Sequence, residues 1–169
     1  MCEECTAYII DTNVILSALI KSGKTRKCLK TCNTQYYIPN TVIDEVLKVK
    51  MQKDFKKIIK KMKRKINERK IALEDIVTVF VAEIFDIATL FLNIQPIHEK
   101  PRKRDLKQAE EIIGARDPSD IPIIAIALYL ARKHRQEKIC IWTYDNDILN
   151  VLREKNEVIK AVKKPCCCK

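Results

Sequence analysis

The sequence predicts an α/β domain built on a mainly parallel sheet, and three observations carry that expectation. Short apolar runs rich in Ile, Val and Tyr alternate with longer segments of helical period, the order that builds strand–helix–strand units. Only two glycines occur, Gly23 and Gly114, too few for a fold of many tight hairpins. With 47% hydrophobic and 33% charged side chains over 169 residues, the chain has the composition of a globular protein able to fill a core.

The first element is Tyr8-Ile9-Ile10-Asp11-Thr12-Asn13-Val14-Ile15-Leu16. It reads as an apolar strand that ends in a carboxylate and runs straight into a helix over 14–21, stopping near Gly23. Another helix is expected over 25–31. Tyr36-Tyr37-Ile38 reads as a second strand closed by Pro39, and Asn40 or Thr41 as the cap of the next helix. Thr41-x-x-Asp44 resembles a capping box there.

From Met51, apolar residues at 51, 55, 58, 59, 62 and 66 keep a helical period with bases on the remaining face. A longer apolar helix is expected over 71–91, then a strand over 92–97 interrupted by Pro96. Lys103–Ile113 reads as a helix with Gly114 as its stop. Arg116-Asp117-Pro118-Ser119-Asp120 is a loop, and Pro122 falls in the first turn of an alanine-rich helix over Ile121–Lys133. Ile139-Cys140-Ile141-Trp142 is a buried strand running into Thr143-Tyr144-Asp145-Asn146-Asp147. A short helix follows over 148–152, with Asp147 as its N-cap, and an edge strand over 158–162. With no internal repeat or linker, one domain is expected over 1–165, ahead of a frayed Cys-rich tail at 166–169.

The net charge of +11 is concentrated: residues 48–70 hold 12 Lys/Arg against two acids, and so carry +10 of it. Such a stripe fits a polyanionic partner, and Lys53, Lys56, Lys57, Lys60, Lys61, Lys63, Arg64 and Lys65 are candidate nucleic-acid contacts. A solvated helix face is the plainer alternative. No apolar stretch reaches the roughly 18 residues of a membrane span. Met1-Cys2-Glu3-Glu4-Cys5 lacks the basic start and apolar core of a secretory signal, so a cytoplasmic protein away from membranes is expected. Of the eight cysteines, Cys2-x-x-Cys5 and Cys28-x-x-x-Cys32 have spacings compatible with zinc. Cys28 and Cys32 lie one turn apart on an expected helix, however, and no knuckle loop surrounds either pair. Buried or half-exposed thiols are therefore expected, intracellular disulfides being a feature of hyperthermophilic hosts.

Four acids fall at one kind of structural boundary. Asp11 ends a strand, Glu45 lies one turn into a helix that follows a strand, Asp120 opens a helix, and Asp145 follows a strand. In a parallel sheet these places share the carboxyl edge, where ligands collect. Clustered carboxylates stay ionised in company with cations, and all-oxygen sites suit Mg2+ or Mn2+. Taken singly, each has a duller role: Asp120 as a cap, Glu45 as a partner for a lysine on its own helix, Asp117 as a turn opener before Pro118. Tyr36, Tyr37, Trp142 and Tyr144 offer stacking surfaces for bases, with core packing as the alternative. His98 and His134 take no role, and no serine–histidine pair accompanies the acids.

Together the acids and their flanks resemble the PIN-domain nucleases over nearly the whole chain. Ile9-Ile10-Asp11-Thr12-Asn13-Val14 resembles the family's opening strand with its Asp-x-Asn, and Pro39-Asn40-Thr41-Val42-Ile43-Asp44-Glu45 the segment supplying a glutamate. Asp120-Ile121-Pro122-Ile123-Ile124-Ala125-Ile126-Ala127 resembles the aspartate before an apolar helix, and Trp142-Thr143-Tyr144-Asp145-Asn146-Asp147 the closing Thr-x-Asp-x-Asp. The resemblance implies a three-layer α/β/α sandwich and a metal-dependent endoribonuclease acting on RNA. Asp11, Glu45, Asp120 and Asp145 are then the catalytic, metal-binding residues, Asp117 and Asp147 are weaker candidates, and Asn13 and Thr143 orient the ligands. It also implies frequent homodimers and, for many small members, the VapC-type toxin of a toxin–antitoxin pair, with an antitoxin as partner. Asp11→Asn is expected to abolish cleavage and leave the fold intact. A catalytically idle RNA-binding member and a structure-specific DNA nuclease are the alternatives. The lysine-rich insert and the Cys tail depart from the family pattern.

Overall fold

The computed structural model describes residues 5–20, 23–32, 34–45, 94–135, 137–155 and 158–165. The helices expected over 51–66 and 71–91, the candidate contacts from Lys53 to Lys65, and the tail at 166–169 lie outside the described residues.

Five strands form one sheet: β1 (Ala7–Ile10), β2 (Gln35–Pro39), β3 (Ile94–Ile97), β4 (Ile139–Trp142) and β5 (Lys160–Val162), in the order β3-β2-β1-β4-β5. Every pairing is parallel. The strands at the centre are the most apolar: Ala7-Tyr8-Ile9-Ile10 and Ile139-Cys140-Ile141-Trp142 are buried throughout, as strands covered on both faces must be. Pro96 is tolerated because β3 is an edge strand, with one side free of ladder partners. Tyr36 packs between Tyr8 and Trp142, ring centroids 6.0 Å from each, so these three strand aromatics belong to the core.

Between β1 and β2 run α1 (Thr12–Ile20) and α2 (Lys24–Thr31), and α3 (Asn40–Glu45) follows β2. On the other side of the order, α4 (Lys103–Ile113) and α5 (Ile121–Lys133) connect β3 to β4, and α6 (Asn146–Lys155) connects β4 to β5. The chain moves outward from β1 through β2 to β3, then returns to the far side of β1. Right-handed crossovers consequently place the two groups of helices on opposite faces, giving the α/β/α sandwich. α5 is apolar almost all round, with Ile123 to Leu128 and Leu130 buried. Its outer end is clamped by Glu99, which pairs with Lys133 and accepts from the Tyr129 hydroxyl. Arg132 pairs with the fully buried Asp105, which also accepts the Arg102 N–H and so fixes the start of α4.

Two local expectations are corrected. α3 begins at Asn40, so neither Asn40 nor Thr41 is a cap, the chain turning directly from Pro39 into the helix. Gly114 does stop α4, which ends at Ile113, and it does so in a right-handed conformation, with φ −53°. A side chain there would bring its Cβ within 2.6 Å of the Glu110 carbonyl oxygen, which is why the position suits glycine. Among the described residues the cysteines are not thiols: Cys5 and Cys140 form a disulfide, their Cα atoms 5.9 Å apart, and Cys28 and Cys32 are each in a disulfide. Strand pairing sets that proximity, since β1 and β4 are neighbours in register.

Candidate active site

The strand order reverses between β1 and β4, and in open α/β sheets the crevice at such a reversal, beyond the carboxyl ends of the strands, is where ligands bind. Asp11 follows the last residue of β1 and Thr143 the last residue of β4, so both stand at that crevice.

Asp11 is held from three directions. Its Oδ1 accepts the Thr12 N–H at 2.6 Å. Its Oδ2 accepts from the Asn13 amide at 2.7 Å and from the Thr143 hydroxyl at 2.6 Å. Asn13 Oδ1 in turn accepts the Tyr144 N–H at 3.1 Å, which settles the amide's orientation and keeps its NH2 toward Asp11. The Thr143 hydroxyl, wholly buried, also accepts the Asp145 N–H at 2.9 Å. One small network thus ties the ends of β1 and β4 together around a carboxylate that is 8% exposed.

Asp145 has two jobs. Its carbonyl oxygen accepts the Leu149 N–H, and its Oδ1 accepts the Asp147 N–H at 2.7 Å, so Asp145 is the residue that caps α6. This corrects the assignment of the cap to Asp147, which lies exposed inside the first turn because α6 starts two residues earlier than its apolar pattern suggests.

The third group comes from the turn before α5. Past Ile113 the chain curls back, the Arg116 and Asp117 N–H groups both donating to the Ile113 carbonyl. Asp117 Oδ1 then accepts from the N–H of Ser119 at 2.9 Å and from its hydroxyl at 2.6 Å, shaping a 3-10 turn over Pro118–Asp120. These bonds, the hydroxyl's first, hold the Asp117 carboxyl below the usual carboxylate range. Asp120 stands at the start of α5 without a capping hydrogen bond from its side chain.

These pieces meet in an open cleft of about 350 Å3. Its lining includes Asp11, Asn13, Asp117, Asp120 and Asp145, together with Thr41 of α3, Ser119 and Ile123. Four carboxylates from three separated parts of the chain therefore share one cavity, and among the described residues its lining has no basic side chain. Thr143 lies buried beneath it, and Asp147 is not part of it. Glu45 ends α3, one turn beyond Thr41, and its side chain lies outside the described residues. Among the described residues, no three His, Cys, Asp or Glu side chains are grouped to hold one metal ion, so the acids share the cleft without closing into a cage. The donor set itself, carboxylate and hydroxyl oxygens with no thiolate or imidazole, fits a hard divalent cation. Ser119 and Thr41 were not among the expected site residues. Asp-Pro-Ser is the local signal for Ser119, a carboxylate capturing the N–H two residues on; for Thr41 the signal is its place just after β2, at the same carboxyl edge that was expected to hold Glu45.

Among the described residues no helix is long and apolar enough to cross a membrane. No curated protein matches the chain. A family model described as the PIN domain matches residues 9–160, from the first strand through Asp145 and into the last. The chain belongs to the PIN-domain family of nucleases.

Proposed function

We propose that this chain is a divalent-cation-dependent endoribonuclease. Asp11, Glu45, Asp120 and Asp145 hold Mg2+ or Mn2+, with Asp117 as a further acid on the cleft wall. The observation that carries this reading is the gathering of Asp11, Asp117, Asp120 and Asp145 in one cleft at the strand-order reversal. Carboxylates crowded together repel one another, and a divalent cation held among them would offset that repulsion. A bound divalent ion supplies Lewis acidity and activates water for phosphodiester hydrolysis.

The chain's own residues do the positioning. Asn13 and Thr143 fix the plane of the Asp11 carboxylate, as outer partners of ligands do. Asp145 spends Oδ1 on its helix, so Oδ2 is the oxygen with which it would hold the ion. Because the cleft is acidic, a phosphate enters it only when cations offset the carboxylates, which makes entry to the cleft as well as cleavage cation-dependent and leaves binding outside the cleft independent of the ion.

The decisive experiment is cleavage of single-stranded and folded RNA with Mg2+, Mn2+ or EDTA, using the wild type and Asp145→Asn. Cleavage that needs both the ion and the carboxylate is expected. Cleavage in EDTA, or at full rate in Asp145→Asn, overturns the reading, and cleavage of DNA in place of RNA moves it to the DNA-nuclease class. As biological setting we propose the toxin half of a toxin–antitoxin pair, with an antitoxin protein as partner. Growth arrest on expression, relieved by Asp145→Asn, is the expected result.

A further inference from the structure

Tyr144 stands between two residues of the site, Thr143 and Asp145, yet its own side chain goes to the surface. At 38% exposed it is one of three large apolar side chains left open among the described residues. Both ends of it are tied. Its N–H donates to Asn13 Oδ1, and its hydroxyl is hydrogen-bonded to Thr25 Oγ1 at 2.7 Å, with Ser17 Oγ 3.5 Å behind. An exposed ring already fixed in place loses little freedom when another ring stacks on it.

Thr25 belongs to α2, and the charge around it is one-sided. From Thr12 to Ile43 the chain has no acidic residue, while Lys21, Lys24, Arg26, Lys27 and Lys30 are basic. Arg26 is buried, its Nε donating to the Ala18 carbonyl. Lys24 and Lys27 are exposed and, among the described residues, in no ion pair. An open aromatic ring thus stands one residue before Asp145 of the cleft lining, and its hydroxyl is bonded to a helix that carries exposed cations. The two surfaces are complementary in use: the acidic cleft repels phosphates, and the cations of α2 attract them.

We infer that Tyr144 and α2 form the track along which a single-stranded stretch of RNA reaches the cleft, one base stacking on the Tyr144 ring and neighbouring phosphates lying on Lys24 and Lys27. This rests on the ribonuclease reading above. A single strand is specified because a base inside a duplex has no face to offer, whereas an unpaired base stacks on an aromatic side chain whatever its identity.

Binding of a fluorescent single-stranded oligonucleotide and of a hairpin duplex, measured by anisotropy in EDTA, tests the track without cleavage. Tyr144→Ala is expected to weaken single-strand binding about tenfold and leave the duplex unchanged. Tyr144→Phe keeps the ring and is expected to stay within about twofold of the wild type, which separates stacking from the hydroxyl's tie to Thr25. Lys24→Ala with Lys27→Ala should flatten the slope of log K against log salt by about 1.4, the loss of two phosphates. Single-strand binding unchanged in Tyr144→Ala, an equal loss on the duplex, or an equal loss in Tyr144→Phe overturns the assignment of Tyr144. An unchanged salt slope overturns that of the lysines. A wild type that binds but cleaves nothing with any cation sinks the nuclease reading instead, and leaves these binding measurements standing.

Discussion

Strands β1 and β4 are joined at both ends, by unlike chemistry. At their amino ends Cys5 and Cys140 are bonded covalently, across a separation of 135 residues. At their carboxyl ends the tie is polar: the Thr143 hydroxyl donates to the Asp11 carboxylate, Asn13 accepts the Tyr144 N–H, and the Thr143 hydroxyl accepts the Asp145 N–H. The covalent tie acts mainly on the unfolded chain, whose freedom it removes. The polar tie does nothing for the unfolded chain and keeps a charge partly buried, an arrangement that stability alone does not favour. What it provides is a carboxylate held in one orientation at the mouth of a cleft. One end of the strand pair secures the fold, and the other spends part of that security on chemistry.

The largest expected effect comes from cutting the covalent end. Closing a loop of this length gives about 5 kcal/mol in the chain-entropy limit and about 2–4 kcal/mol in typical measurements. Cys5→Ala with Cys140→Ala should lower stability in that range in a urea titration. Below its melting point the variant should keep the cation requirement of the wild type, because no carboxylate has moved. A change in the cation requirement would show that the two ends are coupled and break the comparison.

Next in size is the polar end itself. Asp11 receives donors at both oxygens, so the amide of Asp11→Asn must turn its NH2 toward at least one of them. A buried donor facing a donor costs about 1–3 kcal/mol. The sequence-based expectation that this substitution leaves the fold intact is thereby revised. Asp145→Asn makes the contrast, since an asparagine oxygen accepts the Asp147 N–H as well as a carboxylate does and helix caps of the two types are nearly equal. Both variants should lose cleavage, but only Asp11→Asn should lose stability in the same titration. Equal stability losses would mean that Asp11 is not the structural centre of the network.

The difference between the two ends also marks what was legible in the residues. The polar end could be read locally. Asp11 and Asn13 sit in one strand-to-helix junction, and Thr143 and Asp145 in another, and each junction carries its own signature of an apolar run broken by acids. The borders of α4, α5 and β4 were equally plain, because Lys103–Ile113, Ile121–Lys133 and Ile139–Trp142 are uniform in period and closed by clear stops. The covalent end could not be read at all. Cys5 and Cys140 have no sequence relation, and nothing short of the β1–β4 register puts them together. The same holds for the division of labour between Asp145 and Asp147, which turns on where one helix begins.

The smallest effect tests the wall of the cleft that has neither kind of tie. Asp117 and Ser119 belong to a surface turn whose hydrogen bonds are all local, and those bonds hold the Asp117 carboxyl low. A carboxylate whose pKa is depressed in the folded protein adds to stability above its unfolded pKa, and loses that contribution as the pH falls through its folded value. Ser119→Ala removes the larger of the two causes, so the Asp117 carboxyl should rise back toward the ordinary range. Since Asp117 is only partly buried and its bonds are local, global stability should change little. If Asp117 helps to hold a cation, the acid limb of the cleavage profile should move to higher pH in Ser119→Ala, while the plateau keeps its height. An acid limb that stays where it was would mean that Asp117 only shapes the turn. The working carboxylates would then be those on the tied strands, with Asp120 and Glu45.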